Sequence, residues 1–188
     1  DNAAVGGMFM DYVVSSDIAR SEWLTHLMNE YGDRLTKLAY TYVKDIGKAQ
    51  EIVQDVFVTC YEKYEKVRQI EKIKPWLYRV TINRAKDVLR SNWVKRVLLH
   101  NTLANDQITS NLTEEMILQN DEQTTLFHMI LALPVKYREV ILLFYYEDCS
   151  IDDTAKTLKV NPNTIKTRLK RGRSLLEKQW KELDEDGR

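Results

Sequence analysis

The stretch from Val160 to Arg173, VNPNTIKTRLKRGR, holds five basic side chains and no acid, in a 188-residue chain whose 28 Lys and Arg equal its 28 Asp and Glu. From Lys156 to Lys181, nine bases stand against one acid, so charge is segregated although the whole chain sums to zero. Gathered cations suit a polyanion. Asn163, Thr164 and Thr167, set among Lys166, Arg168, Lys170 and Arg171, add hydrogen-bonding heads that can read base edges while the cations grip phosphate.

A second group has a different chemistry. In WLYRVTINRAKDVLRSNWVKR, Trp76, Arg79, Asn83, Lys86 and Arg90 recur in steps of three and four, with Arg84 beside Asn83. An aromatic ring, an amide and cations on one helix face suit a single strand: cations track the backbone while rings stack on bases. The plainer reading of Trp76, directly after Pro75, is packing against the preceding loop. His26, His100 and His128 are scattered, and neither metal-ligand spacing nor a Gly-rich phosphate loop occurs, which argues against an enzyme and against a metal or other cofactor.

These groups need helices to position them. With six Gly and three Pro, the composition favours long helices over strands and turns. Apolar residues at Leu24, Leu27, Tyr31, Leu35, Leu38 and Tyr42 define one helix face, and Ile52, Val53, Val56, Cys60 and Tyr64 a second. A third helix is opened by Pro75 in its first turn, and Tyr78, Ile82, Ala85, Leu89 and Trp93 form its buried face. From Asn101 to Thr125 the chain carries five acids, seven Asn or Gln and no Lys or Arg, the composition of a flexible acidic linker. Beyond it, LFHMILALP and VKYREVILLFYY read as helices divided at Pro134.

Ser150 can cap the next short helix, whose apolar stripe is Ile151, Ala155 and Leu158, with Asp153 as the acidic partner of an imperfect capping box. After the turn KVN, the last helix carries Ile165, Leu169, Leu176 and Trp180 on its inner stripe. Two helices joined this way make a helix-turn-helix, whose second helix enters a major groove. A basic amphipathic helix can also be a solvated face or lie on a membrane. The polar heads at its entry end, the preceding short helix and the lack of bulky apolar excess favour duplex DNA.

Cys60 and Cys149 each lie among aromatic residues and read as buried, reduced thiols that suit the cytoplasm. No apolar run approaches the roughly 18 residues of a membrane span, and no basic segment precedes an apolar core at the start. Asp1 to Gly7 are small and featureless, so residues 1–10 read as a cloning remnant and start, with Met8 or Met10 as the native first residue.

Three blocks, in order, now resemble a known family. AQEIVQDVFVTCYEKY resembles region 2.2 of bacterial extracytoplasmic-function (ECF) sigma factors, of the sigma-70 family. KPWLYRVTINRAKDVLR is similar to their regions 2.3 and 2.4, and LPVKYREVILLFYYEDCSIDDTAKTLKVNPNTIKTRLKRGRSLLEK to their region 4. The resemblance covers about Leu24 to Leu183. It implies an all-α protein of two small helical domains: a region 2 bundle over residues 11–98 and a region 4 helix-turn-helix domain over 124–188, joined by the linker 99–123.

The resemblance also implies roles. Region 2.2 would dock on the clamp helices of the polymerase β′ subunit through Glu51, Gln54, Asp55, Phe57, Val58 and Glu62, where Gln54, Asp55 and Phe57 match the family motif. Asn83 would line the pocket for a flipped base of the −10 element, with Trp76, Arg79, Arg84, Lys86 and Arg90 on the melted strand. Asn163, Thr164, Lys166, Thr167, Arg168, Lys170 and Arg171 would read the −35 element as duplex, region 4 would meet the β flap, and an anti-sigma factor would be a partner.

Two positions depart from the family pattern. Asp153-Thr154-Ala155 stands where Glu-Ile-Ala is usual, which puts a hydroxyl at an apolar position, and Pro162 occupies a spot often held by Ser or Glu. The main alternative is a stand-alone helix-turn-helix regulator, which needs no single-strand surface and binds DNA without polymerase. A helical interaction scaffold has no reason to sort its charge.

Overall fold

Apolar spacing of three and four residues builds the first half. The computed structural model describes residues 2–99 and 121–186, with side-chain surroundings over 17–91 and 125–183. Among them no strand occurs. Helix α1 (Asn2–Val43) runs well ahead of the apolar periodicity that announces it. Its inward residues Leu27, Tyr31, Leu35, Leu38 and Tyr42 meet Ala49, Ile52, Val53, Val56 and Cys60 of α2 (Ile46–Glu62). The corner between them is made by Lys44 in the left-handed region (φ 56°) and by Asp45, whose carboxylate accepts the Lys48 amide at 2.9 Å. A short α3 (Tyr64–Val67) leads to α4 (Ile73–Leu99), which holds Pro75 in its first turn, where the missing N–H has no helical acceptor to lose.

On α4 the inward face is Leu77, Tyr78, Thr81, Ile82 and Ala85, with Val88 packed against the core one turn later. Leu89, expected inside, is 38% exposed: Val88 takes the inward position of that turn. Trp93 lies outside the residues whose side chains are described, and most of the acidic linker lies outside the described residues altogether.

The second half runs through α5 (Asp121–Ala132), α6 (Val135–Ile141), a π-helical turn (Leu142–Tyr146), α7 (Ile151–Leu158) and α8 (Pro162–Asp186). Pro134 divides α5 from α6 as its missing N–H and ring require. Ser150 caps α7: its hydroxyl oxygen accepts from the Asp153 amide at 3.0 Å and its O–H donates to the Asp153 carboxylate at 2.8 Å. Lys159 (φ 55°) ends α7, and the Asn161 side chain caps α8 by accepting the Asn163 amide at 2.8 Å.

Ile165 and Leu169 of α8 are buried, and Gly172 lets it approach α6 closely, since a Cβ there would meet Ile141 Cγ1 at 3.1 Å. Trp180, expected on the inner stripe, is 48% exposed. The 25-residue α8 outruns α6 and α7, which have seven and eight residues.

The two halves pack on each other. Their buried apolar residues form one connected cluster, and α4 lies against α7, with the Thr157 hydroxyl donating to the Pro75 carbonyl at 3.4 Å.

Candidate nucleic-acid interface

Up to Leu176, helix α8 keeps its apolar stripe on the protein and turns most of its polar set to solvent. Asn163, Lys166, Thr167, Lys170 and Arg171 are exposed and Thr164 is half-buried. The Thr167 hydroxyl donates back to the Asn163 carbonyl at 3.0 Å, which leaves its oxygen free to accept. Arg168 faces the other way: it is half-buried, with its guanidinium 3.2 Å from the Glu139 carboxylate of α6.

The stripe on α4 is divided. Asn83 is exposed, between Arg79, half-buried, and Lys86, half-buried. Arg84 lies 4.0 Å from Asp55 of α2, and Arg90 lies 3.4 Å from Asp87. Trp76 is half-buried and packed against the core. Lys86 reaches across to Glu139 at 3.0 Å.

On α2, Glu51, Gln54, Asp55, Val58 and Glu62 share one exposed face, with Val58 53% exposed. Phe57 departs from the set. It is 6% exposed and belongs to the core, since it follows Val53 by four residues and precedes Cys60 by three on the inward stripe. A surface contact through its ring is therefore corrected. Tyr61 joins the face instead: it is 36% exposed, with the Arg20 guanidinium 4.9 Å from its ring centroid. Arg20 lies on α1, so no local spacing announces that pair.

The seam between the halves holds polar residues that sequence reasoning missed. Glu139, 5% exposed, accepts from the Tyr42 hydroxyl at 2.9 Å as well as from Lys86 and Arg168. Arg138 donates to the carbonyls of Thr41 and, at 2.8 Å, of Leu133. Glu147 accepts from the Tyr78 hydroxyl and lies 3.8 Å from Arg34. Lys72 meets Asp153 at 3.1 Å, and Lys74 donates to the Glu147 carbonyl.

Burial sets the protonation of this seam. It drives the Tyr42 phenol well above its ordinary range, with the Glu139 charge adding to the effect. It pulls Lys44 down to about 8, helped by the Arg138 charge; the Lys44 ammonium donates to the Leu131 carbonyl at 3.3 Å. The signal for these residues is an Arg-Glu pair, Arg138-Glu139, inside an apolar run that ends Val-Ile-Leu-Leu: charges so placed need partners.

Among the described residues, no cluster of His, Cys, Asp and Glu could hold a metal ion, and no helix is long and apolar enough to cross a membrane. Cys60 and Cys149 are buried free thiols, both pushed up to about 11 by burial.

Comparison with known proteins bears on both halves of the chain. Residues 27–94 match the family described as Sigma-70 region 2, and residues 124–176 match Sigma-70, region 4. The ECF RNA polymerase sigma factor SigW of Bacillus subtilis is 28% identical over 84% of this chain and 88% of its own length. RNA polymerase sigma factor SigV of the same organism is 32% identical over 74% of this chain and 80% of its own. The fold is like that of the sigma factor RpoE in its complex with the anti-sigma factor NepR from Bartonella quintana (TM-score 0.69, 18% identity, 84% of this chain and 96% of that one). The chain thus belongs to the sigma-70 family in its extracytoplasmic-function class, alternative sigma factors that direct transcription and are not themselves enzymes.

Proposed function

We propose that this sigma factor binds core RNA polymerase and gives it a two-part promoter, read as melted strand at the −10 element and as duplex at the −35 element. One observation carries the reading: a single chain presents two unlike nucleic-acid faces. On α4 an exposed amide, Asn83, sits among the cations Arg79, Arg84, Lys86 and Arg90. On α8, Asn163, Thr164, Lys166, Thr167, Lys170 and Arg171 make an outward face that opens with hydrogen-bonding heads.

Flipping a base out of the duplex costs a few kcal/mol of pairing and stacking, and an amide that pairs with only one base edge offsets that cost for the right base alone. Strand opening then depends on sequence. Trp76 supports the strand from its half-buried position, and Arg168 holds the acidic side chain behind α8. Glu51, Gln54, Asp55, Val58 and Glu62 are the surface for the β′ clamp helices, and the region 4 half meets the β flap. The linker threads toward the RNA exit path, where its acids imitate nucleic acid.

An anti-sigma factor is the further partner we expect, because RpoE, which shares this fold, is solved bound to one. Such a protein acts where the polymerase does, in the cytoplasm. The test is in vitro transcription on the source organism's genomic DNA with bacterial core polymerase, mapping new 5′ ends. Starts that require both proteins and share two spaced elements support the reading. No new starts, with tight DNA binding by the protein alone, would move the assignment to a stand-alone duplex-binding regulator.

A further inference from the structure

Lys159 ends α7 in the left-handed region, at φ 55° and ψ 46°. A β-carbon crowds the following carbonyl there, so glycine takes that conformation freely and lysine only at a cost. The turn of a helix-turn-helix often contains glycine for this reason, and this chain holds a cation in its place. Lys44 shares the conformation, at φ 56°, but its ammonium is committed to the Leu131 carbonyl. Lys159 is exposed, and its ammonium makes no hydrogen bond or ion pair among the described residues. Packing therefore gives no reason for a lysine at this position.

Lys156 stands one turn earlier on α7, exposed, with an ammonium that is likewise unpaired among the described residues. Both lysines line an open hollow of about 490 Å³, which Pro162, the first residue of α8, also lines. Asp152 is the acid among the lining residues. It lies in the first turn of α7, where its charge complements the helix end, and it leaves the two cations in excess.

Position decides what those cations meet. The turn of α8 that begins at Pro162 carries Asn163 and Thr164, the hydrogen-bonding heads of the duplex face. A helix that enters the major groove by that end lies between sugar-phosphate strands, and the helix before it crosses the backbone. Cations on that preceding helix and in the turn then fall at phosphate, which supplies charge and fixes register but carries no base identity.

We propose that Lys156 and Lys159 form a clamp on backbone phosphate at the edge of the −35 duplex, and that the left-handed turn is kept because it places the Lys159 ammonium on the strand. This rests on the duplex reading of α8 above. The clamp adds affinity and register, while base choice stays with Asn163 and Thr164.

Lys159→Gly tests it, because strain and phosphate contact answer that change with opposite signs. Relief of the left-handed turn should raise the thermal midpoint of the full chain by about 2–4 °C. Loss of the ammonium should weaken duplex binding and lower the slope of log affinity against log salt by about 0.9. Lys159→Arg keeps both the cation and the strain, so its slope and midpoint should match those of the parent. Lys156→Gln should lower the slope by about 0.9 with an unchanged midpoint, and the two losses should add.

Isotherms are measured with the full chain on two short duplexes, one carrying the −35 element mapped from the transcription starts and one of scrambled sequence. Phosphate is the same in both, so each variant should lose the same factor on either probe. Lys159→Gly with the parent's salt slope overturns the clamp, and so does a loss confined to the mapped sequence, which would make Lys159 a base contact. A lowered slope without a higher midpoint supports the clamp and overturns the strain account. If the parent binds both duplexes alike, the −35 reading fails, yet the slope still decides whether Lys159 meets phosphate. A parent that binds neither duplex even at low salt overturns both.

Discussion

The Tyr78 hydroxyl donates to the Glu147 carboxylate, so a wholly buried phenol of α4 is tied to the residue that follows the π-helical turn of the other half, 69 positions away. Burial raises the Tyr78 pKa far above its ordinary value, with the Glu147 hydrogen bond next in effect, so the phenol stays a donor at any working pH. Tyr78→Phe keeps the ring and deletes the donor. Stability should fall by about 1.5–3 kcal/mol, the range for a hydrogen bond to a charged acceptor. Urea denaturation measures it, and an unchanged midpoint would show that Arg34, 3.8 Å from Glu147, satisfies the carboxylate alone.

Thr154 offers the opposite case. It is 0% exposed, and its hydroxyl oxygen has no hydrogen-bond partner. This is the position in α7 where the family pattern is apolar. Thr154→Val keeps the shape and removes an unsatisfied buried group, so it should stabilise the fold by about 1 kcal/mol. Thermal denaturation should show a higher midpoint; a lower one would mean the hydroxyl is satisfied through a bound water.

Much of the fold was legible because helical spacing is a local signal. Leu27 to Tyr42, Ile52 to Cys60 and Ile165 to Leu169 fall inside as their periods require, and Ser150 caps α7 because one hydroxyl three residues before an acid is enough to stop a helix's start from fraying. Expectations failed where the spacing says nothing of the facing element. Trp180 continues a stripe past the end of the helices that could cover it, and Leu89 yields its inward place to Val88. Phe57 matched a motif but sits on the inward stripe. The seam was not legible as pairings: Tyr42 meets Glu139 across 97 positions, and nothing local in either segment names the other.

Alkaline pH should loosen the protein. Burial holds the Cys60 and Cys149 thiols neutral up to about 11, against 9.0 ordinarily, and the Tyr31 phenol up to about 12. The unfolded chain loses these protons first. The stability they lend is whole below pH 9 and drains as pH rises toward 11, on the order of 2 kcal/mol per thiol. Lys44 works with the opposite sign: its pKa falls to about 8 on folding, so its burial costs less as pH rises from 8 to 10.5. Midpoints from pH 8 to 11 should fall less steeply in Cys60→Ala than in the parent, and equal slopes would refute the thiol account.

Asn83 should discriminate among bases and not merely add affinity. It is exposed on α4, and its neighbour Arg84 is the residue that pairs with Asp55 of α2. Asn83→Ala should weaken strand opening and relax the base preference at one −10 position, while polymerase binding stays intact. Open-complex formation on templates carrying each base at that position measures it. An equal loss for every base would remove Asn83 from a base pocket.

Lys166 and Arg168 sit two residues apart on α8 and should behave differently toward duplex DNA. Lys166 is exposed, whereas Arg168 is committed to Glu139 at 3.2 Å. A cation that neutralises a phosphate releases a counterion and steepens the salt dependence by about 0.9 per contact. Lys166→Ala should therefore weaken −35 binding uniformly across sequences and lower the salt slope by about 1. Arg168→Met should leave the slope unchanged and lower stability instead, since it removes the partner of one oxygen of the buried Glu139 carboxylate and leaves Lys86 and Tyr42 on the other. Binding isotherms at several salt concentrations separate the two. An unchanged slope in Lys166→Ala would mean that its ammonium touches no phosphate, and a reduced slope in Arg168→Met would mean that Glu139 releases the guanidinium when DNA arrives.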